Sequence, residues 1–404
     1  MPSLDGQRTA SNCRVAVLWI DWYPYHVARF RGLLSAPSLA DGVVGVEMVG
    51  GVGVHSGLKF RQSLPSELPI VTLLPESNWA SVNKLELAKL VWRKLDELNP
   101  DTVLVPGYYT LPGIAAAVWA RMRQRTSVLM TESAAYDHPR SGWKELFKGW
   151  LLRALFQWAV VGGKDHVAYL HQLHFPADRI TGFYDVVDNA FFEKGTAALR
   201  QASSAAENGL PNGYFLYVGR LAPEKNVRGL FASWLIYRSA GGTLPLVLAG
   251  DGPERITLEQ LCAQSTFGGD VIFTGLRNSE ELLPLYAFAS CFVIASTREP
   301  WGLVVNEAMA AGLPVIVTDR CGCAADLVRN TGTGYIVSAG NERSLAHAMH
   351  RIANLDEEER HAMGRAAQER IRIYSPERFG LSVAGIVDAT SRTHAQQHVA
   401  RQSR

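Results

Sequence analysis

Five cysteines in 404 residues are too few, and odd in number, to suggest a disulfide framework. No two Cys-x-x-Cys motifs are present, so no zinc module is expected. Cys321-Gly-Cys323 has no further ligands to join and reads as small residues in a loop. Reduced thiols of this kind fit a cytoplasmic protein. An excess of one charge is also missing. Forty Lys+Arg stand against 38 Asp+Glu, a formal net charge of +2. That excludes a dedicated nucleic-acid binder, which needs a strong basic excess; Arg121, Arg123 and Arg125 fit a solvated helix face. The N-terminus lacks a charged segment followed by an apolar run and cleavage site, so no signal peptide is expected. No window holds about 18 uninterrupted apolar residues, so no membrane span is expected. The nearest approach, "LFKGWLLRALFQWAVVGG" at 146–163, is broken by Lys148 and Arg153. It has two readings: an amphipathic, Trp-bearing helix lying on a membrane surface, or a helix packed inside a domain. The second needs no membrane; the first puts the chain peripherally at the inner face of the cell membrane. The Gly-x-Gly-x-x-Gly fingerprint of dinucleotide enzymes is absent too. "VGGVGV" at 49–54 lacks its spacing and context, which sets a nicotinamide-dependent oxidoreductase aside.

What is present is an alternation. With 47% apolar and 19% charged residues the composition is that of a globular protein, and its length implies two domains at roughly 100–200 residues each. Short β-rich apolar runs recur at 14–20, 43–49, 70–74, 102–105, 126–131 and 158–161, with helical patterns between them. In 80–98, Leu85, Leu87, Leu90, Val91, Leu95 and Leu98 recur at near-helical spacing, and Pro100 closes the segment. Small and polar residues over 195–213 predict an interdomain linker. A second series then restarts at 214–218 and continues at 245–249, 271–273, 291–295, 314–318 and 335–337. The expectation is an α/β fold of two tandem Rossmann-like, doubly wound domains facing across a cleft. The first spans 1–194, the second 214–375, and a C-terminal helix with a polar tail spans 376–404.

In doubly wound sheets ligands sit beyond the carboxyl ends of the strands, and four candidate motifs follow strands here. "GRLAPEKN" at 219–226 offers Arg220 and Lys225, a guanidinium fork and a compact ammonium suited to a diphosphate. "AGDGP" at 249–253 places Gly250 at a strand end where backbone approaches a ligand. "TGL" at 274–276 leaves room for a flat base beside Leu276. In "STREPWGLVVNEAMAAGLPV", 296–315, Glu299 belongs to a loop and Glu307 to the second turn of the helix that Gly302 opens. Free amides at Gly302, Leu303 and Val304 form an anion site. The flanking carboxylates can accept from polyol hydroxyls. Each motif alone also fits a solvated loop or an ordinary turn; the four in strand order do not.

"YVGRLAPEKN", "LAGDGPER", "FTGL" and above all "EPWGLVVNEAMAAGLPVIVTD" resemble the family-4, or group 1, retaining glycosyltransferases of the GT-B architecture. The resemblance covers about 213–345 and, more weakly, 158–192. It implies that Arg220 and Lys225 bind the donor diphosphate, Glu299 contacts the transferred sugar, and Glu307 contacts the ribose, assisted by amides at 302–304. It further implies hexose transfer, with retention, from a nucleotide diphosphate sugar to a glycan or lipid-linked saccharide. A C-terminal helix crossing back to the first domain, here 374–387, is also implied. Other nucleotide-sugar enzymes of this architecture, epimerase or phosphorylase-like, and a non-catalytic binding protein remain alternatives.

The first half departs from the family pattern. Its usual glycine-rich loop after the first strand is replaced by "IDWYPYHVARFR", and its mid-domain histidine by "SVLMTESAAYDH". His26, Glu132 and His138 are therefore the acceptor-side candidates. No Asp-x-Asp stands at a strand end, and Asp185-Val-Val-Asp188 has the wrong spacing. Neither a metal nor a cofactor is expected; Arg220, Lys225 and the helix start serve instead.

Overall fold

The apolar runs form strands where their composition requires, and all of them pair in parallel. The computed structural model describes residues 13–51, 64–136 and 141–402, with side chains to residue 392. The first domain runs β1 (Val15–Trp19), α1 (Pro24–Ser35), β2 (Val43–Val49), β3 (Ile70–Leu74), α2 (Lys84–Leu98), β4 (Thr102–Pro106) and α3 (Leu111–Met122). It continues with β5 (Thr126–Thr131), α4 (Gly142–Leu155), β6 (Trp158–Val161), α5 (Lys164–Gln172) and β7 (Ile180–Thr181). Then α6 (Asn189–Ala202) leads into the second domain: β8 (Phe215–Val218), α7 (Val227–Ser239), β9 (Leu246–Ala249), α8 (Arg255–Ala263) and β10 (Val271–Gly275). There follow α9 (Ser279–Phe288), β11 (Cys291–Val293), α10 (Leu303–Ala310), β12 (Val315–Thr318), β13 (Gly334–Val337), α11 (Glu342–Ala353), α12 (Glu357–Arg372) and α13 (Pro376–Gln402).

The two sheets repeat one winding. The first has the order β3-β2-β1-β4-β5-β6-β7, the second β10-β9-β8-β11-β12-β13. In each the order reverses beside the first strand, which opens a crevice at the carboxyl edge. Helices cover both faces, so β1, β8, β9 and β12 are buried along their whole length and read as unbroken apolar runs.

The segment 195–213, expected as a linker, is helical through Ala202. Its Ala, Leu, Arg and Gln favour helix, and α6 docks on the second domain: Arg200 donates to the carbonyls of Ala287 and Ala311, both at 2.8 Å. Only 203–213 has turn character. The 146–163 window is likewise not one helix, because α4 ends at Leu155 and β6 begins at Trp158.

The chain does cross back. Helix α13 lies against α1, and two glycines set the approach: a Cβ on Gly380 would fall 2.0 Å from the carbonyl oxygen of Gly32. The seam is polar as well as packed. Asn306 donates to the carbonyl of Asp185 at 2.9 Å, and Asn189 to those of Ile371 and Tyr374 at 3.1 and 3.0 Å.

Candidate active site

Three loops at the carboxyl edge of the second sheet are laced by backbone. The amide of Gly219 donates to Ala249 at 2.9 Å, that of Gly250 to Gly275 at 2.8 Å, and that of Leu221 to Asp251 at 2.9 Å. Gly250 has a φ of 143°, and a Cβ there would meet the Gly219 carbonyl oxygen at 1.9 Å. Only glycine lets these loops touch. Leu276 follows them, half-buried, at the end of β10.

Into this floor the loop before α10 lowers Glu299. Its backbone is held on both sides, donating to Arg320 and accepting from Gly322, each at 3.0 Å. Its side chain is 9% exposed and takes a hydrogen bond from the Ser296 hydroxyl at 3.1 Å. The Lys225 ammonium reaches the same carboxylate oxygen at 2.5 Å. A nearly dry carboxylate beside one ammonium is costly unless both have work for their remaining lone pairs and protons. Gly302, at φ 95°, then turns the chain into α10, so the first amides, at Leu303 and Val304, have no carbonyl partner within the helix.

Arg220 stands apart from this pair. It is 53% exposed at the rim and bonds Glu224, four residues on. Glu307 also faces a separate contact, accepting from the hydroxyl of Tyr286 on α9 at 2.8 Å. Burial pushes the Glu307 carboxyl up to about 7, against the opposing pull of that hydroxyl.

On the first domain Glu132 follows β5, half-buried. Close by, Arg29 and Asp185 form a wholly buried ion pair at 2.9 Å, and the guanidinium lies 4.1 Å from the Tyr184 ring centre and 5.0 Å from that of Tyr25. Burial, and next the Glu132 carboxylate, push Asp185 well above the ordinary carboxylate range, while Arg29 pulls it down. His26 occupies a packed position: its Nδ1 accepts from the Tyr23 amide at 3.2 Å, and its ring stacks on Trp19 with centres 4.7 Å apart. His138 lies outside the described residues.

Sequence reasoning missed His166. Its Nδ1 accepts from the Gly163 amide at 3.1 Å, which puts the proton on Nε2, and Nε2 donates to the Pro300 carbonyl at 3.0 Å. A first-domain histidine thus fastens the loop that carries Glu299. Nearby, the Lys164 amide and the Tyr374 hydroxyl both donate to Asp326, at 2.9 and 3.0 Å. The available signal was Gly-Gly-x-x-His after β6, a glycine helix cap answered by a side chain three residues on. Arg29 and Asp185 gave none, because their partnership spans 156 residues.

Residues 202–370 match the model of the family described as glycosyl transferases group 1. Two characterised relatives share part of the chain. A GDP-mannose-dependent alpha-mannosyltransferase of Mycobacterium tuberculosis is 36% identical over 139 residues, 33% of this chain and 34% of that one. An N-acetyl-alpha-D-glucosaminyl L-malate synthase of Bacillus anthracis is 27% identical over 205 residues, 50% and 51% of the two chains. The chain thus spans about a third to a half of the length of these relatives. In three dimensions the match extends over nearly the whole chain. Anabaena HepE, solved in complex with UDP, superposes with a TM-score of 0.68 at 17% identity, covering 93% of this chain and 100% of its own. The segment that matches the group 1 glycosyltransferase model carries Glu299 and Glu307, and the two parallel sheets have the GT-B fold of that solved structure.

Proposed function

We propose that this chain is a retaining, metal-independent hexosyltransferase. It moves a hexose from a nucleotide diphosphate sugar to a glycan or lipid-linked glycan acceptor in glycoconjugate or polysaccharide biosynthesis. The observation that carries the reading is the contact of Lys225 with Glu299 beside the open amides of α10. The ammonium and the amides meet the diphosphate, with Arg220 adding charge from the rim. They stabilise the negative charge that grows on the leaving group, the main electrostatic task of the step. Glu299 holds hydroxyls of the transferred sugar and Glu307 those of the ribose.

The bond from the anomeric carbon to the departing phosphate oxygen breaks through an oxocarbenium-like state, and the acceptor oxygen attacks from that same face. Glu132 takes a hydrogen bond from the acceptor hydroxyl, whose proton passes to the departing phosphate. Asp185 and Arg29 fix the charge around Glu132, while His26 holds the entry to α1. The mannosyltransferase relative uses GDP-mannose by its name, and HepE was solved with UDP; both bases belong in the test. A panel of UDP- and GDP-hexoses, assayed for hydrolysis and transfer with and without chelator, provides it. Chelator-resistant turnover is expected. Activity lost to chelator and restored by magnesium or manganese rejects metal independence. Glu299→Ala with turnover intact rejects the site, and epimerised sugar nucleotide without transfer favours an epimerase.

A further inference from the structure

Helix α4 (Gly142–Leu155) turns its apolar side outward. Trp143, Leu146, Phe147 and Trp150 are 69%, 66%, 59% and 58% exposed. Their spacing of three, four and seven residues puts them on one stripe two turns long. Four large apolar side chains so exposed on neighbouring turns are not scattered surface residues, and a contiguous patch of this kind marks an interaction site. The helix is well seated on its other side, through Gly149, Leu152 and Leu155. The outward stripe is therefore not a packing failure.

The charges decide what the stripe meets. Helix α4 carries Lys144, Lys148 and Arg153 and a single acid, Glu145. Glu145 is turned inward, accepting from the Tyr169 hydroxyl at 2.5 Å. Lys148 donates to that same hydroxyl, also at 2.5 Å, and Arg153 donates to the Leu173 carbonyl at 2.6 Å. Lys144 is exposed at the edge of the stripe, its ammonium 5.6 Å from the Trp143 ring centre. What faces out is apolar and positive, with no exposed acid on the helix. Indoles prefer the headgroup zone, and cations beside them suit anionic headgroups. No helix among the described residues is long and apolar enough to cross a membrane, so the contact is peripheral.

We infer that α4 is a docking surface for an anionic lipid bilayer, with Trp143, Leu146, Phe147 and Trp150 seated at the boundary between headgroups and acyl chains and Lys144 on the phosphates. The placement has a consequence for the cleft. The Lys148 ammonium lies 4.9 Å from the Tyr108 ring centre, and the next residue, Tyr109, is 72% exposed and feels the charge of Glu132. The docked face and the acceptor side of the cleft are thus neighbours.

The inference does not rest on the transfer reading, and its test does not read transfer. The full chain is sedimented with phosphatidylcholine vesicles, with and without phosphatidylglycerol. Binding is expected with phosphatidylglycerol, weakening as salt shortens the screening length. The exposed triple variant Trp143→Ser/Phe147→Ser/Trp150→Ser should lose about a hundredfold in affinity with its thermal midpoint unchanged. Lys144→Glu should weaken binding only to the anionic vesicles. Absence of binding to either vesicle overturns the inference, as does binding that both variants retain. So does a concentration-dependent dimer in sedimentation velocity that the triple variant abolishes, because the face would then belong to a second copy.

Discussion

The two domains share a winding but treat their carboxyl edges differently. In the second, the loops are stitched backbone to backbone, and each candidate side chain has a short polar partner within the same domain: Lys225 with Glu299, Arg220 with Glu224, Tyr286 with Glu307. In the first, the edge is built of aromatic rings around a buried ion pair, Arg29 with Asp185. Under the reading proposed above, the stitched edge is the one that holds the donor. The first-domain edge is a packed cluster in which half-buried Glu132 adjoins the wholly buried Asp185.

If that contrast is right, breaking the first-domain cluster should cost stability, and breaking the second-domain site should cost rate. The largest effect is expected at Arg29. Arg29→Met leaves Asp185 buried beside Glu132 with no countercharge, and removal of one member of a buried pair costs roughly 3–5 kcal/mol. Chemical denaturation should show the loss. A variant as stable as the parent would mean that Asp185 is already neutral. Next is Glu299→Gln, which keeps size but removes the charge facing Lys225. Turnover should drop by about 10²–10³, the effect of losing one preorganised polar contact to a transition state, while the thermal midpoint moves little. Equal losses of rate and stability at Glu299 would erase the contrast.

The same contrast explains what the sequence allowed to be read. Glu299, Gly302 and Glu307 sit within nine consecutive residues on one strand-loop-helix unit, so their relation is local and their spacing carries it. The strands were legible because parallel sheets covered on both faces demand continuous apolar runs. The Arg29–Asp185 pair and the His166–Pro300 bond join segments 156 and 134 residues apart. No local pattern announces such contacts. The helix over 195–202 was hidden by composition: small residues mark linkers and helices alike, and only docking through Arg200 separates them.

Glu307 sharpens the comparison on the donor side itself. With its carboxyl raised from 4.5 to about 7, the folded chain keeps a proton between those values that the unfolded chain has released. Stability therefore falls as pH rises through that window and is level above it. Glu307→Gln should remove the slope, gaining roughly 3 kcal/mol at pH 8 and nothing at pH 4. Thermal midpoints at the two pH values measure it. In the parent, nucleotide affinity should rise as the pH passes about 7, because the ionised carboxylate accepts from ribose hydroxyls better than the acid.

The smallest effect separates the two cations that the sequence treated as a pair. Lys225 is 21% exposed and already touches Glu299, whereas Arg220 is 53% exposed and bonded to Glu224 at the rim. A charge that meets the diphosphate from a drier position is less screened and contributes more. Lys225→Met should weaken nucleoside diphosphate binding by about a hundredfold, and Arg220→Met by less than about tenfold, since breaking its exposed pair frees little. The Arg220 effect should also shrink with salt while the Lys225 effect persists. Titration calorimetry with UDP and GDP at two ionic strengths distinguishes them. If Arg220 proves the stronger, the guanidinium leaves Glu224 on binding and closes over the diphosphate, and the donor side is less rigid than its stitched loops imply.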